Sequence, residues 1–347
     1  MTFLKRKRFW AAVLAIALSI FIFRDFNFDR IWPIIKGINF WYLIPLSVCE
    51  FVIAFVRSQR WKFIIDAGKK VDSLSIFSTF SIGMMMNLLM PALTGQVARI
   101  FLLARKEEIK KTTAFTSVVL EVLFDALVLV GLLFVVSLFY VFPESIRSWE
   151  IIGGILVIAL AVLLWRMSRH HHEAELKVKR RIELPAISLV ERLTDIKNSF
   201  IVGLKMLRSR KHLYMVSGLT VLSWLLQAIM VYLLIAAFSL NITFWGAVII
   251  MIINTVLVTI VVTPVNIGTF QLACVFALSL FHIDRQTALS FSIILHTFNY
   301  LPPLLLGWYF SIREGLSFKR LIRERDKDDS DYIRNVAVPK PTQPRSS

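Results

Sequence analysis

"NLLMPALTGQVAR", residues 87–99, decides how this chain folds, because Asn87, Pro91, Gly95, Gln96 and Arg99 interrupt a run of Ile, Met, Leu and Phe. Unbroken, such a run predicts a single helix across a bilayer. Pro91 removes a backbone donor and Gly95 permits a turn, so the run is expected to stop and double back. From Gln96 to Leu103 a second half-helix begins, with its N-terminal N–H groups facing the break and Arg99 one turn inside. A helix N-terminus backed by an arginine attracts anions, and a phosphate headgroup is the natural candidate.

The surrounding chain supports a membrane setting. Of 347 residues, 57% are hydrophobic, and the mean hydropathy is +0.69. Apolar blocks long enough for a hydrocarbon core of roughly 30 Å recur throughout. The expectation is an all-α polytopic membrane protein with six full spans, at 9–23, 41–56, 112–140, 150–165, 213–238 and 287–311. Two interrupted segments, 75–104 and 244–281, complete it as re-entrant Pro-x-x-x-Gly hairpins.

Charge sets an orientation. If each hairpin enters and leaves by one face, the flanks on the N-terminal side hold 34 of the 40 Lys and Arg residues, the opposite flanks hold five, and Arg99 is the remaining one. That asymmetry predicts cytoplasmic N- and C-termini in a multi-pass protein of the cytoplasmic (inner) membrane. It also accounts for the formal charge of +17 without a nucleic-acid partner, since basic flanks are drawn to anionic inner-leaflet lipid.

The chain divides into an N-terminal anchor helix and outer loop (1–40), a first membrane repeat with its hairpin (41–142), and a connecting span with a basic loop (143–212). A second repeat with its hairpin (213–313) and a charged, disordered tail (314–347) follow. The N-terminus is read as an uncleaved helix, because bulky Phe21, Ile22 and Phe23 extend the apolar run past any small-residue cleavage site. Within the basic loop, Ile187, Val190, Leu193, Ile196, Phe200, Leu204 and Leu207 have helical spacing. They predict an amphipathic helix that either lies on the inner surface or packs as a strut under the bundle. His170, His171 and His172 are adjacent and do not share a helix face, so no metal site is expected there. Cys49 and Cys274 read as packing residues.

A shift of 173 residues brings Pro91 onto Pro264 and Gly95 onto Gly268, in "PALTGQ" and "PVNIGTFQ". The span 41–56 falls on the start of 213–238, and 112–140 falls on 285–313, in a second half that would run in the opposite sense. Paired, Pro/Gly-broken segments in an inverted-topology repeat are the sequence pattern of a transport site near the bilayer midplane. Unpaired backbone at that depth is tolerated only against protein or a wet cavity.

Ionisable residues at membrane depth are costly unless they pair or work. Glu50, Arg99, Glu121, Asp125 and His296 fall into this group. Glu121 and Asp125 share a helix face at a spacing of four, and either neutralise Arg99 or handle headgroup charge and protons. His296 and Asn299 occupy the matching helix of the second half, followed by Pro302 and Pro303. His296 reads as a satisfied buried histidine or as a proton relay. Asn87, Gln227, Asn254 and Gln271 suit interhelical hydrogen bonding.

At "RSQRW" (57–61), "NLLMPALTGQVARIFLL" with "SVVLEVLFD", and "TPVNIGTFQLA", the chain resembles the lysylphosphatidylglycerol synthase transmembrane-region family, over roughly residues 10–315. The resemblance implies a fold of inverted repeats with re-entrant helices that moves phospholipids or lipid-linked molecules between leaflets. The positions it carries over are Asn87, Pro91, Gly95, Arg99, Glu121, Asp125, Pro264 and Gly268. Gln96 and Gln271 stand where that family often has acids, and Val122 where it often has Arg. No segment here resembles an aminoacyltransferase domain, so lysine transfer to lipid is not expected of these residues.

The sequence therefore predicts a flippase- or scramblase-like transporter of an anionic phospholipid or lipid-linked precursor. It would bind its substrate at Asn87, Pro91, Gly95, Gln96, Arg99, Pro264, Gly268 and Gln271. Charge balance or proton coupling would fall to Glu50, Glu121, Asp125, His296 and Asn299. The alternative is a non-catalytic membrane subunit that presents a lipid to a separately encoded glycosyltransferase or lipid synthase. No catalytic residue, metal or cofactor is expected, because no nucleophile–base pair or ligand set is apparent.

Overall fold

The computed structural model describes residues 28–66, 70–89, 94–109, 111–138, 210–260 and 263–315, and among them every regular element is helical. The helices are α1 (Phe28–Gly37), α2 (Leu43–Asp66), α3 (Ser73–Leu89), α4 (Thr94–Lys106), α5 (Lys111–Ser137), α6 (Arg210–Ala237), α7 (Phe244–Ile260), α8 (Thr269–Ser279) and α9 (Arg285–Arg313). Single 3-10 turns occur at Phe40–Tyr42 and Pro264–Asn266. The expected spans at 9–23 and 150–165, the amphipathic helix, the three adjacent histidines, Pro91 and the C-terminal tail lie outside the described residues.

Four stretches, Phe40–Ile65, Thr113–Ser137, Lys211–Ala237 and Arg285–Arg313, are long and apolar enough to cross a membrane. Their outward faces are apolar, and Glu50, Arg60 and Glu121 of these stretches are buried within the protein. Large side chains such as Trp41, Phe134, Ile260 and Ile312 lie bare on the outside, a surface that water would not tolerate. Two expectations need correction. The span placed at 41–56 continues as one helix to Asp66, because no Pro or Gly interrupts the chain from 56 to 66 and Arg60 finds its partners inside the protein. The outer loop assigned within 1–40 contains α1, whose Ile31 is buried with Leu289 of α9.

Both interrupted segments fold as antiparallel helix pairs. In the first, Gly83 of α3 faces Arg99 and Gly95 of α4, and Lys106 Nζ donates to Ser78 Oγ at 2.7 Å. In the second, Asn254 Nδ2 of α7 donates to Phe270 O at 3.3 Å and Cys274 Sγ at 3.0 Å in α8. Adding 173 to the pair 83/99 gives 256/272, the same register as 254/274. The repeat seen in the sequence is thus a repeat of helix pairing.

These pairs are short. With 17 and 13 residues in the first and 17 and 11 in the second, their arms rise only about 16–25 Å, against about 40 Å for the 27 to 29 residues of α5, α6 and α9. They also start from opposite ends. Helices α2 and α6 are antiparallel, with Asn39 N bonded to Ala237 O at 3.0 Å at one end and Phe63 against His212 at the other. The first pair opens at the Phe63 end, where Lys62 Nζ meets Ser73 Oγ at 2.6 Å and Lys106 pairs with Glu314. The second opens at the Asn39 end, where Gly246 lies against Phe281.

The tips converge. Val265 O and Asn266 bond His296 and Tyr300, residues in the middle of α9. From the other side, Ser81 and Met85 of α3 lie against Gly307 and Phe77 packs on Phe310, so α3 climbs toward the same level. The turn Pro264–Asn266 touches α3 directly. There α9 carries Pro302 and Pro303, which remove two donors from its ladder and release the carbonyls of Phe298 and Asn299.

Candidate functional site

Where α2, α4, α5 and α6 meet, four charges are enclosed. Arg60 Nη2 lies 2.8 Å from Glu121 Oε1, and its Nη1 lies 2.5 Å from Asp125 Oδ1. A further bond from Arg60 Nη2 to Asp125 Oδ2, 3.0 Å, makes the contact to that carboxylate bidentate. Arg99 Nη2 reaches the other oxygen of Glu121 at 2.6 Å. The group sums to zero charge, the condition under which buried ions are tolerated. Trp224 Nε1 closes it by donating to Asp125 Oδ1 at 2.9 Å.

Local sequence explains the arrangement. The spacing of four puts Glu121 and Asp125 on one face of α5. On α2, Arg60 and Trp61 both turn inward, and Trp61 Nε1 donates to Ser117 Oγ at 2.9 Å. The Arg99 guanidinium lies 4.1 Å from the centre of the Trp61 ring and 4.6 Å from that of Phe80, a cation–π enclosure. Gly83 makes room for the Arg99 stem, since a Cβ there would overlap its Cγ.

Other predicted residues fall into three places. At the first pair, Asn87 Oδ1 accepts the Gly95 N–H at 2.8 Å and Gln96 Oε1 accepts from Arg99 Nη1 at 3.1 Å. The α4 N-terminus is therefore partly satisfied by the protein's own groups. Gly95 is helical, and its job differs from the turn expected of it: a Cβ would overlap Gly83 O and the Asn87 side chain, so it permits close helix approach.

At the second pair, Pro264 begins the 3-10 turn and Gly268 does make a turn, with φ 87°, which disfavours any side chain. Gln271 Oε1 accepts the Gly268 N–H at 2.8 Å, half of a capping box. His296 Nε2 sits 3.0 Å from Val265 O, which assigns the proton to Nε2 and leaves Nδ1 to accept from Gln271. Asn299 Oδ1 accepts from Gln227 Nε2 at 3.1 Å. Glu50 stands apart from both networks. It lies in a pocket between α2, α3 and α9 that also includes Arg57, Ser81 and Pro303, and its Oε2 has no hydrogen-bond partner.

Sequence reasoning missed Arg57 and Arg60, which it assigned to a cytoplasmic flank. One signal was available: two carboxylates against Arg99 alone leave a net negative charge at membrane depth, so a second cation had to come from somewhere. "RSQRW" abutting an apolar span held it.

The features together define a class: a helical membrane protein with two short antiparallel helix pairs that open at opposite ends of the bundle, and with a charge-neutral quartet of buried ions beside the first pair. A family model described as "Lysylphosphatidylglycerol synthase TM region" matches residues 8–307, and the chain belongs to that family. It is similar to the UPF0104 membrane protein MJ1595 of Methanocaldococcus jannaschii, 22% identical over 81% of this chain and 87% of the relative. It is also similar to MJ1078 of the same organism, 26% identical over 65% of this chain and 92% of that one.

Proposed function

We propose that the chain is a lipid transporter of the flippase or scramblase kind, in which the two short helix pairs are re-entrant hairpins and the basic end is cytoplasmic. The supporting observation is their joint geometry. Each pair opens at one end of the bundle, the ends are opposite, and the Pro264–Asn266 turn of the second pair touches α3 of the first beside the middle of α9. In this reading the broken backbone lies at mid-depth, within reach of either face, where a polar headgroup needs partners. Lys62, Lys70, Arg105, Lys106, Lys111, Lys211 and Arg313 all fall at the first-pair end, which fits a cytoplasmic face. The enclosed quartet would hold the first hairpin in place, and no residue acts as a catalyst. The test is leaflet exchange of fluorescent phospholipids in vesicles reconstituted with the purified chain. Exchange well above that of protein-free vesicles supports transport.

The second reading is a lipid-presenting subunit for a separate enzyme, and the description of the matching family as a region of a synthase favours it. It predicts lipid binding without exchange.

A further inference from the structure

The four long apolar stretches carry three carboxylates, Glu50, Glu121 and Asp125, and the fold treats them differently. Glu121 and Asp125 face arginine nitrogens within hydrogen-bond distance. Glu50 is as deeply buried as Glu121, yet its Oε2 has no partner. Its pocket is walled by Ile53, Ala54, Phe80 and Leu306, with Ser81 and Arg57 as the other polar groups. The Ser81 hydroxyl already donates to Phe77 O at 2.8 Å, so it has no proton left for a carboxylate. Arg57 is the charged group whose field reaches Glu50, but its guanidinium rests on the Trp224 ring at 5.5 Å. Of the other titratable groups, Cys49 is the neighbour on α2, and Tyr300 of α9 lies within electrostatic reach with its hydroxyl accepting from Asn266 Nδ2 at 2.7 Å. The pocket wall takes none from α3.

An ionised carboxylate enclosed in this way has neither a cation nor a donor, and a buried group in that position takes up a proton instead. The space agrees with a neutral acid. It has room for about one water molecule, too little for a headgroup or an organic ion. Glu50, Ser81 and Arg57 all line it, and the Ser81 oxygen is still free to accept, so a single water there has the polar partners that a buried water needs.

We infer that Glu50 is a proton-binding site: it stands as a neutral carboxylic acid whose O–H donates to one water in the pocket, and it releases its proton through that water. On release the acid O–H bond breaks, its electron pair stays on the carboxylate, and the proton passes to the water and out through the mouth of the pocket. The new negative charge is then met by Arg57, two turns or about 10 Å further along the same helix. No carboxylate pairs with Arg57 among the described residues. Closing on Glu50 draws its guanidinium off the Trp224 ring, so the proton on Glu50 decides which of the two Arg57 meets. The inference gives the transport reading a coupling ion, the proton, and does not depend on that reading.

Infrared difference spectroscopy of the full-length chain in lipid vesicles reads the proton directly, because the carbonyl stretch of a protonated acid lies apart from that of a carboxylate. Exposed carboxyl groups are ionised at neutral pH and do not contribute. The unaltered chain should show a protonated-acid band at neutral pH, shifted in heavy water, that fades reversibly as the pH is raised. Glu50→Gln should lose the band. Arg57→Gln should keep it at neutral pH, because Arg57 is not the partner of the neutral acid. Absence of the band from the unaltered chain at neutral pH overturns the inference, a result that needs no variant to fold. A band that survives in a folded Glu50→Gln chain does so as well. So does a band that appears only when Arg57 is removed, which would make Glu50 the ionised partner of Arg57. None of these readings involves lipid movement, so failure here is distinct from failure of the leaflet-exchange test.

Discussion

Arg60 Nη2 of α2 sits 2.8 Å from Glu121 Oε1 of α5, and the arginine side chain has no exposed surface. Glu121 also holds Arg99, so one carboxylate ties the first helix pair to both α2 and α5. Replacing Arg60 by Gln leaves two carboxylates facing one arginine. Loss of one partner from a buried pair costs about 3–5 kcal/mol, so the thermal unfolding midpoint in detergent should fall sharply. Arg60→Gln with Asp125→Asn restores neutrality around Arg99 and Glu121 and should recover much of the loss. A double variant no more stable than the single one would show that charge balance is not what the quartet provides.

Arg99→Lys tests the aromatic enclosure separately from the charge. A lysine keeps the pairing with Glu121 but loses the planar fork that lies between Trp61 and Phe80. The unfolding midpoint should fall between that of the unaltered chain and that of Arg99→Gln. Equal midpoints for the two variants would mean that stacking, not charge, holds Arg99.

Close approach of α3 and α4 rests on two glycines. Ala at Gly95 would overlap Gly83 O and Asn87, and Ala at Gly83 would overlap Arg99. Overpacking of this kind costs about 1–3 kcal/mol or more. Gly218 of α6 has no heavy atom near its would-be Cβ, so Gly218→Ala serves as the matched control and should leave stability unchanged. The comparison is read from unfolding midpoints of the three variants, and a Gly83→Ala midpoint equal to that of Gly218→Ala would contradict the packing described here.

Much of this architecture was legible in the sequence, because lipid imposes a simple rule: apolar length sets helix length, and Pro or Gly marks a break. The break at 87–99 and its echo at 264–268 followed from spacing alone, whereas the register within each helix pair did not. What stayed hidden depended on contacts between distant segments. Arg60 reads as a flank residue until α5 supplies Glu121 and Asp125, 61 and 65 residues away. The surroundings of Glu50 were equally invisible, since only the fold shows that Arg57 lines the same pocket and yet does not pair with it. Gly95 was flagged for the wrong reason: sequence shows a glycine beside a break, but whether it makes a turn or admits a neighbouring helix is a matter of tertiary packing.

His296 gives a test of the second tip. Its Nε2–H bonds Val265 O, where Val265 and Asn266 have φ of 55° and 54°, a region unfavourable for a β-branched side chain. His296→Phe keeps a ring against Phe270 and Tyr300 but loses that bond. The strained turn should loosen, and amide exchange at 265–268 should rise while exchange within α6 is unaffected. Unchanged protection at 265–268 would show that the turn holds itself.

The orientation of the two pairs follows from which ends they open at, and labelling can decide it. In a chain with Cys49 and Cys274 replaced by Ala and Ser, single cysteines are placed at exposed Lys70 and Lys111, which flank the first pair. Exposed Asn241 and Arg285, which flank the second, are treated likewise. In sealed inverted vesicles, whose outer surface is the former cytoplasmic face, a membrane-impermeant maleimide should modify positions 70 and 111 and spare 241 and 285. In right-side-out vesicles the pattern should reverse. Modification of 70 and 111 from opposite faces would make α3 and α4 a single crossing. The same split between 241 and 285 would do so for α7 and α8, and either result would remove the midplane meeting of tips on which the transport reading depends.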